Sequence, residues 1–260
     1  MFNYAIRYNR CMVGALLAGT AAAVGIFSAG YQSMAATGQW YGRTFTGLPR
    51  ATKQLALTYD DGPNDPHTLR LLEVLARHEV HATFFLIGRF VEQRPDIVRE
   101  IANAGHTIGN HTFTHPLLIF KTAAEIRREL TRCQATLQDA VGEHSNLFRP
   151  PFGGRRPAVV RVARQLGFEP VMWNVTGYDW SGQLAAQIEA KVMRRIRGGD
   201  VILLHDGGHE QMGADRTQTV RATDDLIAHY KQKGYEFVTV AGMMESKNTT
   251  HSFENQTANR

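Results

Sequence analysis

From Lys53 onward, short apolar segments alternate about seven times with longer amphipathic ones. The segments of strand character are Gln54–Tyr59, Ala82–Ile87, His106–Gly109, Leu147–Arg149, Pro170–Val175, Asp200–Leu204 and Glu236–Val240. Between them lie helical stretches at Thr68–His78, Pro95–Ala104, Thr122–Ala140, Pro157–Leu166, Leu184–Ile196 and Thr217–Lys233. In the third of these, Ile126, Leu130, Cys133 and Leu137 fall on one face. Gly105, Gly167 and Gly234 follow three of the helices, where a left-handed cap is needed. Such alternation dictates parallel strands joined by helical crossovers, in a closed barrel or an open sheet. No second linker or long repeat interrupts it, so residues 51–243 read as one catalytic domain. The polar tail at 244–260 is expected to be loose.

The sequence before this domain has a different character. Arg7 and Arg10 precede an uncharged run, Cys11–Tyr31, followed by the small residues Ser33, Ala35 and Ala36. A basic start, an apolar middle and a small-residue end predict a secretory signal over 1–35. The run is longer than the usual signal core of about 7–15 residues. As a helix it would reach about 31 Å, enough to cross a bilayer's hydrocarbon, so a retained membrane anchor is the alternative. Both readings place the catalytic domain outside the cytoplasm, because the arginines stay inside. Residues 36–50, rich in Gly and Thr, read as a linker.

Bulk properties narrow the function. The 260 residues are 43% hydrophobic and 20% charged, which excludes collagen-like, disordered and wholly membrane-embedded chains. Residues 1–35 carry two arginines and no acid, so the remainder keeps +3 of the chain's +5. That surplus is compatible with an anionic envelope polymer as partner. It is too small, and too free of basic runs with interleaved aromatics, to point to nucleic acid. The two cysteines, Cys11 and Cys133, cannot form a disulfide within the domain and have no zinc-finger spacing. Cys133 is expected to be a packed small hydrophobe. Oligomeric state is left open.

Polar residues recur at or just after the ends of predicted strands: Asp60-Asp61, His111, Arg149, Asp179-Trp180 and His205. In a parallel barrel these strand ends share one face, where active sites are built. His111 and His115 are four residues apart, a spacing that brings two imidazoles together on a helical turn. With a carboxylate from another strand end, Asp61, they form a candidate set for one metal ion with open positions for water or substrate. Zinc, cobalt, manganese or iron suits such donors. Taken singly, each residue also has a plain structural reading. Asp60-Asp61-Gly62-Pro63 is a good turn, Arg149 before two prolines can cap a loop, Asp179-Trp180 can be a surface turn, and His205 can be a satisfied strand-end histidine.

Taken together, the ordered motifs Thr58-Tyr59-Asp60-Asp61-Gly62, His111-Thr112-Phe113-Thr114-His115, Arg149-Pro150-Pro151-Phe152, Asp179-Trp180 and Ile202-Leu203-Leu204-His205 resemble those of the polysaccharide deacetylases of the NodB-homology group, carbohydrate esterase family four. The resemblance covers about residues 51–243. It implies an α/β fold, a deformed (β/α)7 barrel, and one divalent metal, zinc first and cobalt or manganese as alternatives, on Asp61, His111 and His115. It further implies that Asp60 is the general base, Arg149 holds that base, His205 is the general acid and Asp179 its partner. By the same likeness the Phe152 backbone N–H would bind the oxyanion, and Trp180 and Leu203 would wall the acetyl pocket. The implied reaction is removal of N-acetyl groups from an envelope polysaccharide, either peptidoglycan or a chitin-like polymer. O-acetyl esterase activity and a non-catalytic glycan-binding role are the alternatives. Three departures stand out. Thr176 occupies a position where the family often has Asp, Phe152 stands where Tyr is frequent, and the segment His209–Ala214 is slightly extended.

Overall fold

The computed structural model describes residues 20, 23–142 and 146–247. Cys11, most of the apolar run and most of the polar tail lie outside them. Among the described residues no helix is long and apolar enough to cross a membrane. A helix at 23–34 takes in the end of the apolar run and leaves Val24, Ile26 and Phe27 exposed.

Among the described residues, eight parallel strands form one curled sheet. They are β1 (Gln54–Asp60), β2 (Thr83–Leu86), β3 (Thr107–Asn110), β4 (Leu147–Phe148), β5 (Glu169–Pro170), β6 (Val175–Thr176), β7 (Asp200–His205) and β8 (Glu236–Phe237). The order across the sheet is β5-β4-β3-β2-β1-β7-β6, with β8 paired to the start of β1. The helices are α1 (His67–Arg77), α2 (Gly88–Gln93), α3 (Pro95–Asn103), α4 (Ala123–Val141), α5 (Pro157–Gln165), α6 (Ala185–Met193) and α7 (Thr217–Gln232). This is the deformed (β/α)7 architecture expected from the sequence. Helix α2 was not predicted.

Strand parity separates two of the three apolar clusters. Leu55, Leu57 and Tyr59 of β1 pack with Phe84, Leu86, Ile202 and Leu204 against the helices. Ala56, Phe85 and Val201 point the other way, into the barrel. Because side chains alternate along a strand, Asp60 shares the inner face with Ala56, and His205 shares it with Val201. Helix α4 is fixed by a capping box between Thr122 and Glu125, and the predicted stripe of Ile126, Leu130, Cys133 and Leu137 is buried. Burial pushes the free Cys133 thiol up to about 12, which makes it an inert packing residue. Gly105 after α3 is left-handed at φ 77°, as its predicted capping role requires.

The predicted strand Pro170–Val175 divides in two. Its ends become β5 and β6, at opposite edges of the sheet. The intervening residues cross the seam that would otherwise close the barrel. That seam is filled from the stretch read as a linker. Phe45 is buried, its N–H donates to the Pro170 carbonyl at 2.9 Å, and its carbonyl accepts from Met172 N at 2.8 Å. Gly47 pairs with Asp200, the first residue of β7. Within 36–50, therefore, residues 45–48 are packed into the barrel wall.

Candidate active site

Register sets the site. Asp60 is the cross-strand partner of His205 on one side and of Phe85 on the other. The last residues of β1 and β7 thus stand side by side on the inner face at the strands' carboxyl ends. Past β1 the chain turns at Asp61, which is left-handed at φ 75°. Gly207 allows the next loop to close on that turn, since a Cβ there would lie 2.1 Å from the Asp61 carbonyl.

His111 and His115 follow β3, but not on a helical turn. They lie in a loop in which Thr112 (φ 66°) and His115 (φ 60°) are left-handed, a costly conformation for a β-branched threonine. Surrounding bonds hold it. Thr112 N donates to Asn110 Oδ1 at 2.9 Å, and His115 N donates to Thr112 Oγ1 at 3.1 Å. The Glu129 carboxylate of α4 accepts from Phe113 N, Thr114 N and Thr114 Oγ1 at 3.0, 2.8 and 2.9 Å. The expected spacing thus works through a capped loop rather than through helical periodicity.

Asp61, His111 and His115 present one ligand atom each, all within 4.8 Å of one another. His115 Nε2 is 3.1 Å and His111 Nε2 3.5 Å from Asp61 Oδ1. That oxygen is buried and has no hydrogen-bond partner among the described residues, an orphaned acceptor of the kind a cation satisfies. His111 Nδ1 donates to the Arg149 carbonyl at 2.7 Å, leaving Nε2 for an ion. Burial works to raise the Asp61 carboxyl, but the two histidines outweigh it and hold it well below the carboxylate range. Burial pushes the His115 imidazole down, toward the neutral form that binds metal. The donor set fits one divalent ion with open positions.

Asp60 is held separately. Arg149, wholly buried, donates from Nη1 to Asp60 Oδ1 and to Thr58 Oγ1, both at 2.8 Å. Its other nitrogens reach the Val171 and Met172 carbonyls, and its guanidinium stacks over Phe85 at 4.2 Å. Asp60 Oδ2 lies 3.7 Å from His111 Nε2.

On the opposite side, Asp179 binds His205 twice, accepting from its backbone N–H at 2.8 Å and meeting Nδ1 at 3.0 Å. Thr219 Oγ1 donates to the same carboxylate at 2.9 Å. Burial lowers the His205 affinity for a proton, but Asp179 more than compensates and the imidazole is pushed up to about 9. The Asp179 contact is complete although Thr176 replaces the acid often found there. Thr176 Oγ1 accepts from Tyr178 N at 3.2 Å instead.

Asp60, Asp61, His111, His115 and His205 line a cavity of about 490 Å³ together with Phe152, Trp173 and Trp180, while Arg149 and Asp179 are not among the lining residues. Phe152 is left-handed at φ 57° and packs edge-on to His115, and Trp180 packs edge-on to His205. Leu203, expected in the pocket wall, is not among the lining residues. It shares the inner face with His205 but sits two residues deeper and is fully packed. The extended segment after β7 supplies His209, Glu210, Gln211 and Ala214 to the lining, and Arg216 follows. Trp173, Thr219, Glu129, His209 and Arg216 were not singled out as site residues. Of these, only His209 falls in a segment that the sequence marks as unusual, the extended stretch His209–Ala214.

Comparisons with known proteins point to one family. The family model described as polysaccharide deacetylase matches residues 48–171. A peptidoglycan-N-acetylglucosamine deacetylase of Bacillus cereus is 38% identical over 208 residues, covering 79% of this chain and 73% of that protein. A chitooligosaccharide deacetylase of Bradyrhizobium is 36% identical over 192 residues, covering 71% of this chain and 88% of that one. Among solved structures, a peptidoglycan N-acetylglucosamine deacetylase in complex with 4-naphthalen-1-yl-N-oxidanyl-benzamide superposes with a TM-score of 0.71 at 38% identity, over 77% of this chain and 91% of that one.

Proposed function

The chain belongs to the polysaccharide deacetylase family, and from that premise we propose that it is a metal-dependent N-deacetylase of an envelope polymer of N-acetylglucosamine, with peptidoglycan as the leading substrate. The observation that carries this reading is that two separately held proton carriers, Asp60 and His205, share one cavity with the three metal-ligand atoms of Asp61, His111 and His115. The names of the relatives in Bacillus and Bradyrhizobium support the substrate class.

Amide hydrolysis has two difficulties, a weakly electrophilic carbonyl and a poor leaving amine. A bound divalent ion, zinc by the N₂O donor set and cobalt or manganese as alternatives, supplies positive charge that polarises the carbonyl and makes water more acidic. Asp60, with Oδ1 occupied by Arg149, takes the proton of the attacking water on Oδ2. The Phe152 main-chain N–H donates to the oxyanion as it develops. His205 has Nδ1 engaged by Asp179, so Nε2 delivers a proton to the departing nitrogen. Its high proton affinity keeps that proton in place at neutral pH. Trp180 borders the acetyl methyl. An intact Asp179–His205 pair favours an amine leaving group over an alkoxide, which needs less help from an acid.

Action outside the cytoplasm is part of the proposal. It rests on the basic and apolar N-terminal pattern, on exposed Val24, Ile26 and Phe27, which suit a lipid environment better than water, and on the peptidoglycan named for the Bacillus cereus relative. The test is mass spectrometry of N-acetylglucosamine oligomers, peptidoglycan and acetylated xylan after incubation with the zinc-loaded chain. Loss of acetyl groups from the first two supports the reading. Loss from xylan alone makes the protein an O-acetyl esterase.

A further inference from the structure

A metal-binding imidazole is normally aimed by the bond that its second ring nitrogen makes. The two histidines of this site differ in that respect. His111 has the Arg149 carbonyl at 2.7 Å from Nδ1. His115 Nδ1 is buried and has no hydrogen-bond partner among the described residues. Aromatic rings grip the His115 ring instead. His209 lies over it at 4.9 Å between centroids and 28° between planes, and Phe152 meets it edge-on at 4.7 Å and 69°. His209 and Phe152 also touch each other, at 5.1 Å and 80°, so the three rings form one cluster.

The backbone carrying His209 is fixed by residues other than Asp61, His111 and His115. Arg89 donates to the carbonyls of His209 and Glu210. Asn64 accepts from Gly213 N at 2.7 Å and donates to the Ala214 carbonyl at 2.9 Å. Arg216 Nε donates to the Gly207 carbonyl at 2.7 Å. The His209 ring is therefore placed by a braced loop. Its Nδ1 is 4.0 Å from Asp61 Oδ2, beyond hydrogen-bond range.

We propose that His209 is a positioning residue for the metal ligand His115, its stacked ring taking the place of the hydrogen bond that His115 Nδ1 lacks. The face of the ring acts, not its nitrogens. The inference rests on the metal-site reading above and concerns how this chain, with its extended loop after β7, aims one of the three ligands.

The experiment is a zinc affinity measurement by competition with a chromophoric chelator. It uses the full chain and its His209→Ala and His209→Phe variants, with cobalt spectra recorded in parallel. Loss of an outer-shell partner costs about 10–100-fold in metal affinity. His209→Ala should therefore bind zinc at least about 10-fold more weakly, with the thermal unfolding midpoint of the metal-free protein unchanged. His209→Phe, which keeps a flat ring and has no nitrogen, should recover most of that loss and show the wild-type cobalt spectrum. Wild-type affinity in His209→Ala overturns the proposal and leaves the metal site standing. Equal weakness in both variants, with an altered cobalt spectrum, overturns it in favour of His209 as a ligand. A wild-type chain that binds no ion removes the metal site and this inference together.

Discussion

Arg149 and Asp60 form a closed pair in which Nη1 donates to Oδ1 at 2.8 Å while the guanidinium is wholly sealed from solvent. The pair joins β1 to the end of β4 from inside the barrel and leaves Oδ2 of Asp60, the proposed base, available. Breaking a buried pair by removing one partner strands the other charge, at a cost of about 3–5 kcal/mol. Arg149→Ala should lower stability by that amount in denaturant titrations and lower turnover by at least about 10²-fold. Arg149→Lys keeps the charge but loses the fork that reaches Thr58, Asp60 and the Met172 carbonyl, so it should fall between wild type and Arg149→Ala on both readouts.

His205 gains its proton affinity from Asp179, against the effect of burial. A group whose folded-state value is raised holds its proton below that value and loses it above. The general-acid form should thus persist through neutral pH, and the rate should fall on the alkaline side as His205 deprotonates. Asp179→Asn removes the charge that raises it, so the alkaline limb should move to lower pH. The rate on N-acetylated oligomers should drop by about 10²-fold or more. On an O-acetylated substrate the same variant should lose less, because an alkoxide needs less protonation. Profiles of kcat/KM against pH on the two substrates check both statements.

Glu129 is remote in sequence from His111 and His115, the two histidines proposed as metal ligands, yet its carboxylate accepts three bonds from Phe113 and Thr114. Without it, the strained loop between His111 and His115 has two backbone donors to satisfy elsewhere. Glu129→Ala should weaken zinc binding by about 10-fold or more. Glu129→Gln keeps a single carbonyl acceptor and should bind zinc with intermediate affinity. Chelator competition on the purified variants measures both.

The sequence was most legible where strand parity and strand ends decide the outcome. Asp60 and His205 follow apolar runs, and the pleat alone sends them into the barrel mouth. The buried stripe on α4 was equally plain from its period. Legibility ended where distant residues set local conformation. His111 and His115 are brought together by left-handed Thr112 and by Glu129, which no four-residue spacing reveals. Pro170–Val175 reads as one apolar strand because the edge beside β4 and the edge beside β7 demand the same residue types. Phe45 lies in a Gly- and Thr-rich stretch of linker composition, and only the gap between those two edges gives it a place. Only the family likeness points to Leu203 as a pocket wall; parity puts it on the inner face, buried two residues below His205. His209 depends on Arg89, brought from the far side of the chain by the fold.

The central claim is that Asp60 carries a proton while a different set of side chains holds the ion. Acetate release from N-acetylglucosamine oligomers, measured alongside bound zinc in the wild-type chain and in Asp60→Asn, tests it most directly. The account predicts one zinc per chain in both proteins and a rate reduced by at least about 10²-fold in the variant. An undiminished rate in the zinc-loaded variant would contradict it.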